Sequence, residues 1–467
     1  MTAETRPDAA PAATTTATTA AGHKLSIGEK LGYGLGDCAA NFVFQTQLIF
    51  LMSFYTDVVG ISAGAVAAIF LYSRFWDAVN DPLIGALADR TRTRWGKFRP
   101  WVLATALPFA VCFVLAYSAP GLDGLGNVIW AIVTYNLLMM VYTANNIPYA
   151  SLTGVLTADP VERTSLTSWR FLLAMTAGFL LETYTLDLVQ AVGGGDDAVG
   201  DRYTMAFWAT RAVVCFCVTF ASTRERVDPP AARQGSGATD LTDLRGNRSW
   251  VALATLTFVY FVYLSMRGGT GIYYFRYVVE REDWFGWFNG AGLLASMVGI
   301  LFSKPLSTRF GKRNVFVVRL LATGVVTACF YAAPESRVGV LVGLQCLLQL
   351  IYGVTIPLLW AMMADVADLS ELRTGRRATA MTFAATVFAL KLGLSVGGAL
   401  SALLLARYGY VANATQTASA LEGIRLLMSL FPAIAFVIGA AVLNFYEIDR
   451  RLESSLCQQL QHKRAGS

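Results

Sequence analysis

Residues 73–100, SRFWDAVNDPLIGALADRTRTRWGKFRP, decide the fold. The stretch has the length of a long apolar helix, yet Arg74, Asp77, Asn80 and Asp81 lie in its middle. Their spacing places the arginine and both aspartates on one helical face. Charged groups at bilayer depth are costly and normally face a water-filled cavity with a transport role. The stretch therefore favours a membrane transporter over a soluble helix with a solvated charged stripe.

The composition points to the same class. The chain has 467 residues, of which 55% are hydrophobic and 15% charged, whereas soluble domains carry roughly 25% charged residues. Its apolar residues form blocks of about 20, the length that crosses a bilayer as a helix. We therefore expect an all-α membrane protein with twelve transmembrane spans. The predicted spans are 31–55, 64–89, 101–119, 127–152, 167–191, 204–221, 249–267, 284–303, 313–333, 338–361, 378–406 and 426–446.

The basic residues cluster by loop, which argues against a nucleic-acid partner despite the net charge of +6. They follow spans 2, 8 and 10 and fill the central loop, so they all fall on one side of the membrane. The positive-inside rule then places both termini in the cytoplasm of a bacterial inner-membrane protein. The residues concerned are Arg90, Arg92, Arg94, Lys97, Arg99, Arg224, Arg226, Arg233, Arg309, Lys312, Arg313, Arg373, Arg376 and Arg377.

Enzyme chemistry has little support in the sequence. The only histidines, His23 and His462, lie near the two ends of the chain, so a histidine relay inside the membrane is excluded. The chain contains no nucleophile elbow, phosphate-binding glycine loop or zinc motif, and its seven cysteines suggest no disulfide framework. We expect no enzyme activity and no cofactor beyond a coupling ion.

A polar segment divides the chain into two sets of six spans. The predicted organisation is a disordered cytoplasmic tail (1–24), an N-terminal bundle (25–222), a central cytoplasmic loop (223–247), a C-terminal bundle (248–447) and a second cytoplasmic tail (448–467). A basic motif recurs in the two halves, as RWGKFR from Arg94 and RFGKRN from Arg309. Duplicated halves usually place the substrate site between them at mid-membrane.

The repeated motif also predicts a gate. Charge pairs and helix-end contacts at the cytoplasmic ends of spans 2 and 8 should hold the inner side closed. The predicted gate residues are Asp89, Arg94, Lys97, Arg309 and Lys312.

Seven motifs carry a family resemblance from about residue 30 to 400. They are YTDVVG (55–60), WDAVNDP (76–82), GALADR (85–90), RWGKFRPW (94–101), YTANNIPYASL (142–152), PLLWAMMADVAD (357–368) and TGRRAT (374–379). The GALADR loop resembles the major facilitator superfamily. The set as a whole resembles its glycoside–pentoside–hexuronide:cation symporters, of which melibiose permease is the best-known member. The resemblance implies two pseudo-symmetric six-helix bundles and cation-coupled sugar symport by alternating access.

The resemblance also implies a cation site. The family's cation ligands fall on Asp77, Asn80, Asp81 and Thr143, which all carry oxygen. Oxygen ligands suit a hard cation such as Na⁺, for which Asp77 and Asp81 supply the carboxylates. Arg74 and the family's functional lysine, here Lys391, are the natural counter-charges. The alternative is that these charges pair only for packing.

The family's sugar-binding arginine falls on Arg170, whereas its two sugar-binding aspartates are replaced by Asn41 and Asn146 and an aromatic by Ala150. This loss of negative charge favours a pentoside, a hexuronide or a sulfonated glycoside over a galactoside. Ordinary interhelical hydrogen bonding is the alternative role for the amides. The predicted substrate-binding residues are Asn41, Gln45, Tyr142, Asn146, Ala150, Arg170 and Lys391.

We therefore expect a monomeric symporter that couples a sugar derivative to Na⁺ or H⁺. A Na⁺-dependent lysolipid-type carrier, a sugar receptor without turnover and an uncoupled facilitator remain alternatives.

A last expectation comes from depth alone. Glu182 on span 5 and Arg211 on span 6 lie at similar depth below the outer surface, on consecutive and therefore neighbouring helices. We expect them to form a structural ion pair. The competing interpretation is that Glu182 faces the cavity while Arg211 extends outward.

Overall fold

The computed structural model describes residues 24–157, 160–226, 247–374, 379–450 and 452. The predicted tails and central loop lie almost wholly outside these ranges. Within them, the regular secondary structure is helical, apart from one isolated β-bridge between Thr93 and Gly96.

The described helices form twelve rods, which we number α1 to α12. The first six are α1 (Ile27–Ile49), α2 (Ala63–Arg90), α3 (Arg99–Ala116), α4 (Gly124–Leu156), α5 (Pro160–Gly193) and α6 (Asp197–Ser222). The last six are α7 (Arg248–Tyr273), α8 (Phe285–Leu301), α9 (Lys312–Cys329), α10 (Val338–Gly353 and Thr355–Thr374), α11 (Thr379–Arg407) and α12 (Ala418–Met428 and Leu430–Val442). Shorter helical segments are Leu51–Ser53, Phe54–Val58, Tyr274–Val278, Glu282–Trp284, Ser303–Phe310 and Leu443–Phe445.

Several rods extend beyond the apolar blocks that predict them. Helix α6 begins at Asp197 rather than at 204, because the side chain of Asp196 accepts a hydrogen bond from the Val199 backbone N–H and caps a polar first turn. Among the described helices, nine are long and apolar enough to cross a membrane, and a tenth qualifies if the bent α1 counts as one span. The prediction of an all-α membrane fold is confirmed.

The two halves repeat one helix ending. A π-helical turn prolongs α1 over Phe54–Val58 and α7 over Tyr274–Val278. Each turn closes with the same pair of backbone hydrogen bonds, Val59 N–H to Phe54 and Ile61 N–H to Tyr55 in the first half, and Val279 N–H to Tyr274 and Arg281 N–H to Phe275 in the second. Each is followed by a residue with positive φ, Gly60 (78°) and Glu280 (56°). These matched turns show that the halves are structural repeats.

The RWGK and RFGK motifs are a second repeated feature. Gly96 and Gly311 both have positive φ, at 112° and 81°. Glycine suits this region because a Cβ would be strained there. Each motif leads directly into the next rod, α3 or α9.

The halves meet through three helix pairs: α1 with α7, α2 with α11, and α5 with α8. The α5–α8 contact is close because α8 presents glycines to α5. A Cβ on Gly286 would lie 2.3 Å from the Thr183 carbonyl, and one on Gly290 would lie 2.2 Å from its hydroxyl. Small residues allow such backbone approach in membranes.

The bundle has two ends, which we call the terminal face and the far face. The terminal face carries the start of α1, the loop before α3 and the end of α12. The far face carries the two π-helical turns and the loop between α11 and α12.

Candidate functional site

Two of the cavities between the halves lie on either side of α1. The larger, about 330 Å³, is bounded by α1 and α5 on one side and by α7, α8 and α10 on the other. The smaller, about 240 Å³, lies between α1, α2, α4, α7 and α11. Phe44 and Leu48 of α1 line both cavities.

The predicted cation ligands gather around Asp81. The Thr143 hydroxyl of α4 donates to Asp81 Oδ1 at 3.0 Å, and the Lys391 ammonium of α11 is paired with Oδ2. Asp77 and Asn80 are buried on the same helix, and Asp77 and Lys391 line the smaller cavity. Asp81 is thus held from both halves of the protein. The side chain of Arg74, the other predicted counter-charge, lies outside the described residues.

The predicted sugar-binding arginine has an acidic partner that the sequence analysis did not identify. Arg170 Nη2 lies 3.1 Å from Asp37 Oδ1, and its guanidinium lies 5.4 Å from the centre of the Tyr149 ring. Asn41 donates to the Asp37 backbone carbonyl at 2.8 Å. A carboxylate one helical turn before Asn41 thus compensates Arg170, and the substrate preference inferred from Asn41 and Asn146 stays a prediction.

The other predicted substrate residues are divided between the cavities. Asn41 and Gln45 line the larger one, together with Asp37. Tyr142 and Asn146 line the smaller one. Ala150 is exposed and lines neither of these cavities.

The expected pair of Glu182 and Arg211 is not formed. Glu182 lines the larger cavity, whereas Arg211 is exposed and stacks on Phe207, with its guanidinium 3.4 Å from the ring centre. The prediction considered only how deep the two residues lie along their helices. It did not consider which way each side chain points around its helix axis. The competing interpretation describes the structure better.

At the terminal face, the predicted gate residues make contacts within their own halves. The Lys312 ammonium pairs with Asp365 of α10 at 2.7 Å. The backbone N–H groups of Lys97, Phe98 and Arg99 bind the Glu225 carboxylate at 2.7–2.9 Å.

Arg94 and Arg309 do not form a bridge between the halves in the described part of the chain. Arg94 and Arg309 stack on the aromatic residue that follows each of them, Trp95 and Phe310. The side chain of Asp89 lies outside the described residues, and the predicted gate stays a prediction.

At the far face, a polar cluster joins the halves, and we call it the far-face latch: Asp57, Arg276, Tyr410 and Asn413. Asp57 binds Arg276 Nη1 at 2.6 Å and the Tyr410 hydroxyl at 2.5 Å, and its carbonyl accepts from Asn413 at 2.5 Å. Burial and the Asp57 carboxylate raise the pKa of Tyr410 well above its usual value, so the hydroxyl stays a donor. Asp57 belongs to the YTDVVG motif, but the sequence predicted no role for this residue.

The larger cavity also contains an arginine that the sequence analysis missed. Arg267 of α7 is only 7% exposed. It donates to the Gln345 side chain at 2.7 Å and to the Met428 carbonyl at 3.2 Å. An arginine within the apolar run of span 7 was a usable signal, because charge at that depth normally has a function.

Twelve rods in two repeated halves, with cavities between them that contain charged and amide side chains, define a polytopic membrane transporter. Residues 32–450 match the family described as MFS/sugar transport protein, and the chain belongs to this family. The resemblance to the glycoside–pentoside–hexuronide:cation symporters is thereby confirmed, and the protein is a transporter rather than an enzyme.

Named relatives align over nearly the full chain. The putative glycoside/cation symporter YagG of Escherichia coli is 37% identical, and the match covers 95% of this chain and 96% of the relative. The isoprimeverose transporter of Lactiplantibacillus pentosus is 33% identical, over 94% and 92% of the two chains. The crystal structure of the nucleoside transporter NupG shares the fold, with a TM-score of 0.64 at 14% identity, and the match covers 90% of this chain and all of that one.

Proposed function

We propose that the protein takes up a sugar derivative by symport with Na⁺ or H⁺, through alternating access. The observation that carries the proposal is the position of Asp81, which contacts Thr143 in one half and Lys391 in the other. A cation ligand held from both halves can link ion binding to their relative movement. The relatives named as a glycoside/cation symporter and an isoprimeverose transporter support the substrate class.

The geometry suggests how the cation and the sugar assist each other. A bound Na⁺, or a proton on Asp81, would neutralise the carboxylate that holds Lys391. Lys391 lines the smaller cavity, so its ammonium would be released there, beside Phe44 and Leu48 of α1, which also line the larger cavity. By thermodynamic linkage, the sugar would then strengthen cation binding by the same factor.

The larger cavity provides groups suited to a sugar. Its volume of about 330 Å³ lies within the roughly 300–1,000 Å³ range of small-molecule sites. Asn41, Gln45 and Gln349 line it, and amides both donate to and accept from hydroxyl groups.

We infer that the terminal face is cytoplasmic, because the basic loops lie there. The far-face latch then closes the outer side, and alternating access requires it to open. Each cation carried inward would gain about 2.3 kcal/mol per 100 mV of membrane potential.

The proposal is tested in proteoliposomes with Asp77→Cys, Asp81→Cys and the double variant. Each single variant should lose accumulation driven by a Na⁺ or pH gradient and keep part of its sugar exchange. Imposing the two gradients separately identifies the coupling ion. Asp123→Asn, which removes an exposed charge at the start of α4, is the matched control and should accumulate sugar normally.

Two results would defeat the proposal. Full ion-driven uptake by the double variant would rule out the cation site. Sugar binding by the wild type without counterflow would instead show a receptor.

A further inference from the structure

Arg267 is a buried cation without an ion-pair partner among the residues that the structure describes. Its hydrogen bonds go to an amide oxygen and a backbone carbonyl, which satisfy donors without neutralising the charge. The Phe330 ring, 4.3 Å from the guanidinium carbon, offers only a weaker cation–π attraction. A desolvated charge is costly unless it is paired, so a group of opposite charge would be bound strongly here.

The surroundings of Arg267 are built to hold it in place. Gln345, only 3% exposed, accepts from Nη2 at 2.7 Å and fixes one edge of the guanidinium. Gln345 itself packs against Gly292, where a Cβ would lie 2.9 Å from its side chain. Arg267 and Gln345 both line the larger cavity. The guanidinium is therefore preorganised at the cavity wall.

Two carboxylates line the same cavity, but neither forms an ion pair with Arg267. Asp37 is already paired with Arg170. Glu182 lines the cavity from α5 but forms no ion pair with Arg267. The cavity thus presents one guanidinium without an ion pair on its C-terminal side, and the Glu182 carboxyl together with the hydroxyl-binding amides Asn41 and Gln45 on its N-terminal side.

We propose that Arg267, positioned by Gln345, binds the acidic group of a transported sugar acid, a carboxylate or a sulfonate. The sugar ring would lie toward α1, where its hydroxyls meet Asn41 and Gln45. Arg267 would therefore select acidic over neutral sugars from the C-terminal half. This inference rests on the proposed function, because it assigns the substrate class of the same cavity.

The test compares acidic sugars with neutral sugars of the same ring. Binding to purified protein is measured for the methyl glycosides of glucuronate, galacturonate and 6-deoxy-6-sulfoglucose, each beside its 6-hydroxy parent. Arg267→Gln should weaken binding of the acidic sugars by about tenfold or more, because a charge-assisted hydrogen bond is lost. It should leave binding of the neutral sugars within about twofold.

Further variants separate the charge from its geometry. Arg267→Lys should cause an intermediate loss of affinity for acidic sugars, because lysine keeps the positive charge but lacks the planar guanidinium group. Gln345→Glu should weaken the binding of acidic sugars as much as Arg267→Gln does, because the new carboxylate would form an ion pair with Arg267. Arg337→Gln, which removes an exposed arginine outside the cavity, is the matched control.

The outcomes separate this inference from the proposed function. Ion-driven accumulation of neutral sugars, with no acidic sugar bound, would overturn the inference and leave symport standing. Equal losses for acidic and neutral sugars in Arg267→Gln would show a structural arginine and overturn it too. Absence of any sugar transport by the wild type would defeat the proposed function itself.

Discussion

Asp57→Asn should open the far face. The substitution keeps the size of the side chain but removes the charge at the centre of the far-face latch. In the structure the Asp57 side chain is 2% exposed, so solvent screens its contacts little.

The magnitude follows from the bonds that cross between the halves. Arg276 and Tyr410 bind the carboxylate from the C-terminal half. The bond from Thr56 to Oδ1, at 2.7 Å, stays within one helix, although the Thr56 hydroxyl also meets the Tyr273 hydroxyl of α7 at 2.7 Å. A hydrogen bond to a charged group contributes about 1.5–3 kcal/mol. Asparagine keeps one carbonyl acceptor, and Arg276 keeps both bonds to Glu282. We therefore expect a loss of about 2–3 kcal/mol, less than the ~3–5 kcal/mol for stranding a buried charge.

That loss corresponds to about a 30- to 150-fold shift of the equilibrium toward the state open at the far face. Spin labels at Ser62→Cys and Ser336→Cys, exposed far-face positions in opposite halves, report the shift as a longer distance in pulsed electron resonance. The native cysteines are replaced in this background. Tyr410→Phe should give a smaller shift, about 1 kcal/mol. A distance distribution in Asp57→Asn that matches the unsubstituted background would refute the reasoning.

Two further predictions concern stability, measured by thermal melting in detergent. Gly96→Ala should lower the stability of the protein by about 1–3 kcal/mol, because alanine is strained at the positive φ of this position. The added Cβ would also lie 2.5 Å from the Glu225 carboxylate. Gly311→Ala, where the nearest atom is at 3.1 Å, should cost less, and equal losses would contradict this account. Glu182→Gln and Arg211→Gln should be additive to within about 0.5 kcal/mol, since the two residues do not interact. A larger coupling energy in the double-mutant cycle would show that Glu182 and Arg211 interact after all.

The membrane architecture could be predicted from sequence because hydrocarbon thickness sets the length of an apolar block. The length of an apolar block cannot predict where a helix ends if that end lies in water. Helix α12 begins at Ala418, before the predicted start at 426, because Thr417 caps a turn outside the apolar block. Apolar blocks therefore locate the bilayer portion of a helix rather than the whole helix.

The substrate region shows a different limit. Comparison with family positions finds that Asn41 replaces an acid, but it cannot show that Asp37, one turn earlier, pairs with Arg170. Residues at i and i+4 share a helical face, so Asp37 supplies a carboxylate on the same face as Asn41. The charge balance of a cavity depends on which acids reach which bases, and that requires coordinates.

The basic repeat could not lead to the far-face latch, because the latch lies at a different pair of equivalent helix ends. The matched turns make Thr56 equivalent to Arg276 and Asp57 equivalent to Tyr277. The Asp57–Arg276 ion pair joins these two turns, so an acid on one turn lies opposite a base at the neighbouring register on the other. The RWGK repeat instead marks the terminal face, where the contacts seen for Lys97 and Lys312 stay within one half. The far-face latch therefore shows a bridge between the repeated halves where α1 and α7 end, and the gate at the basic motif stays a prediction.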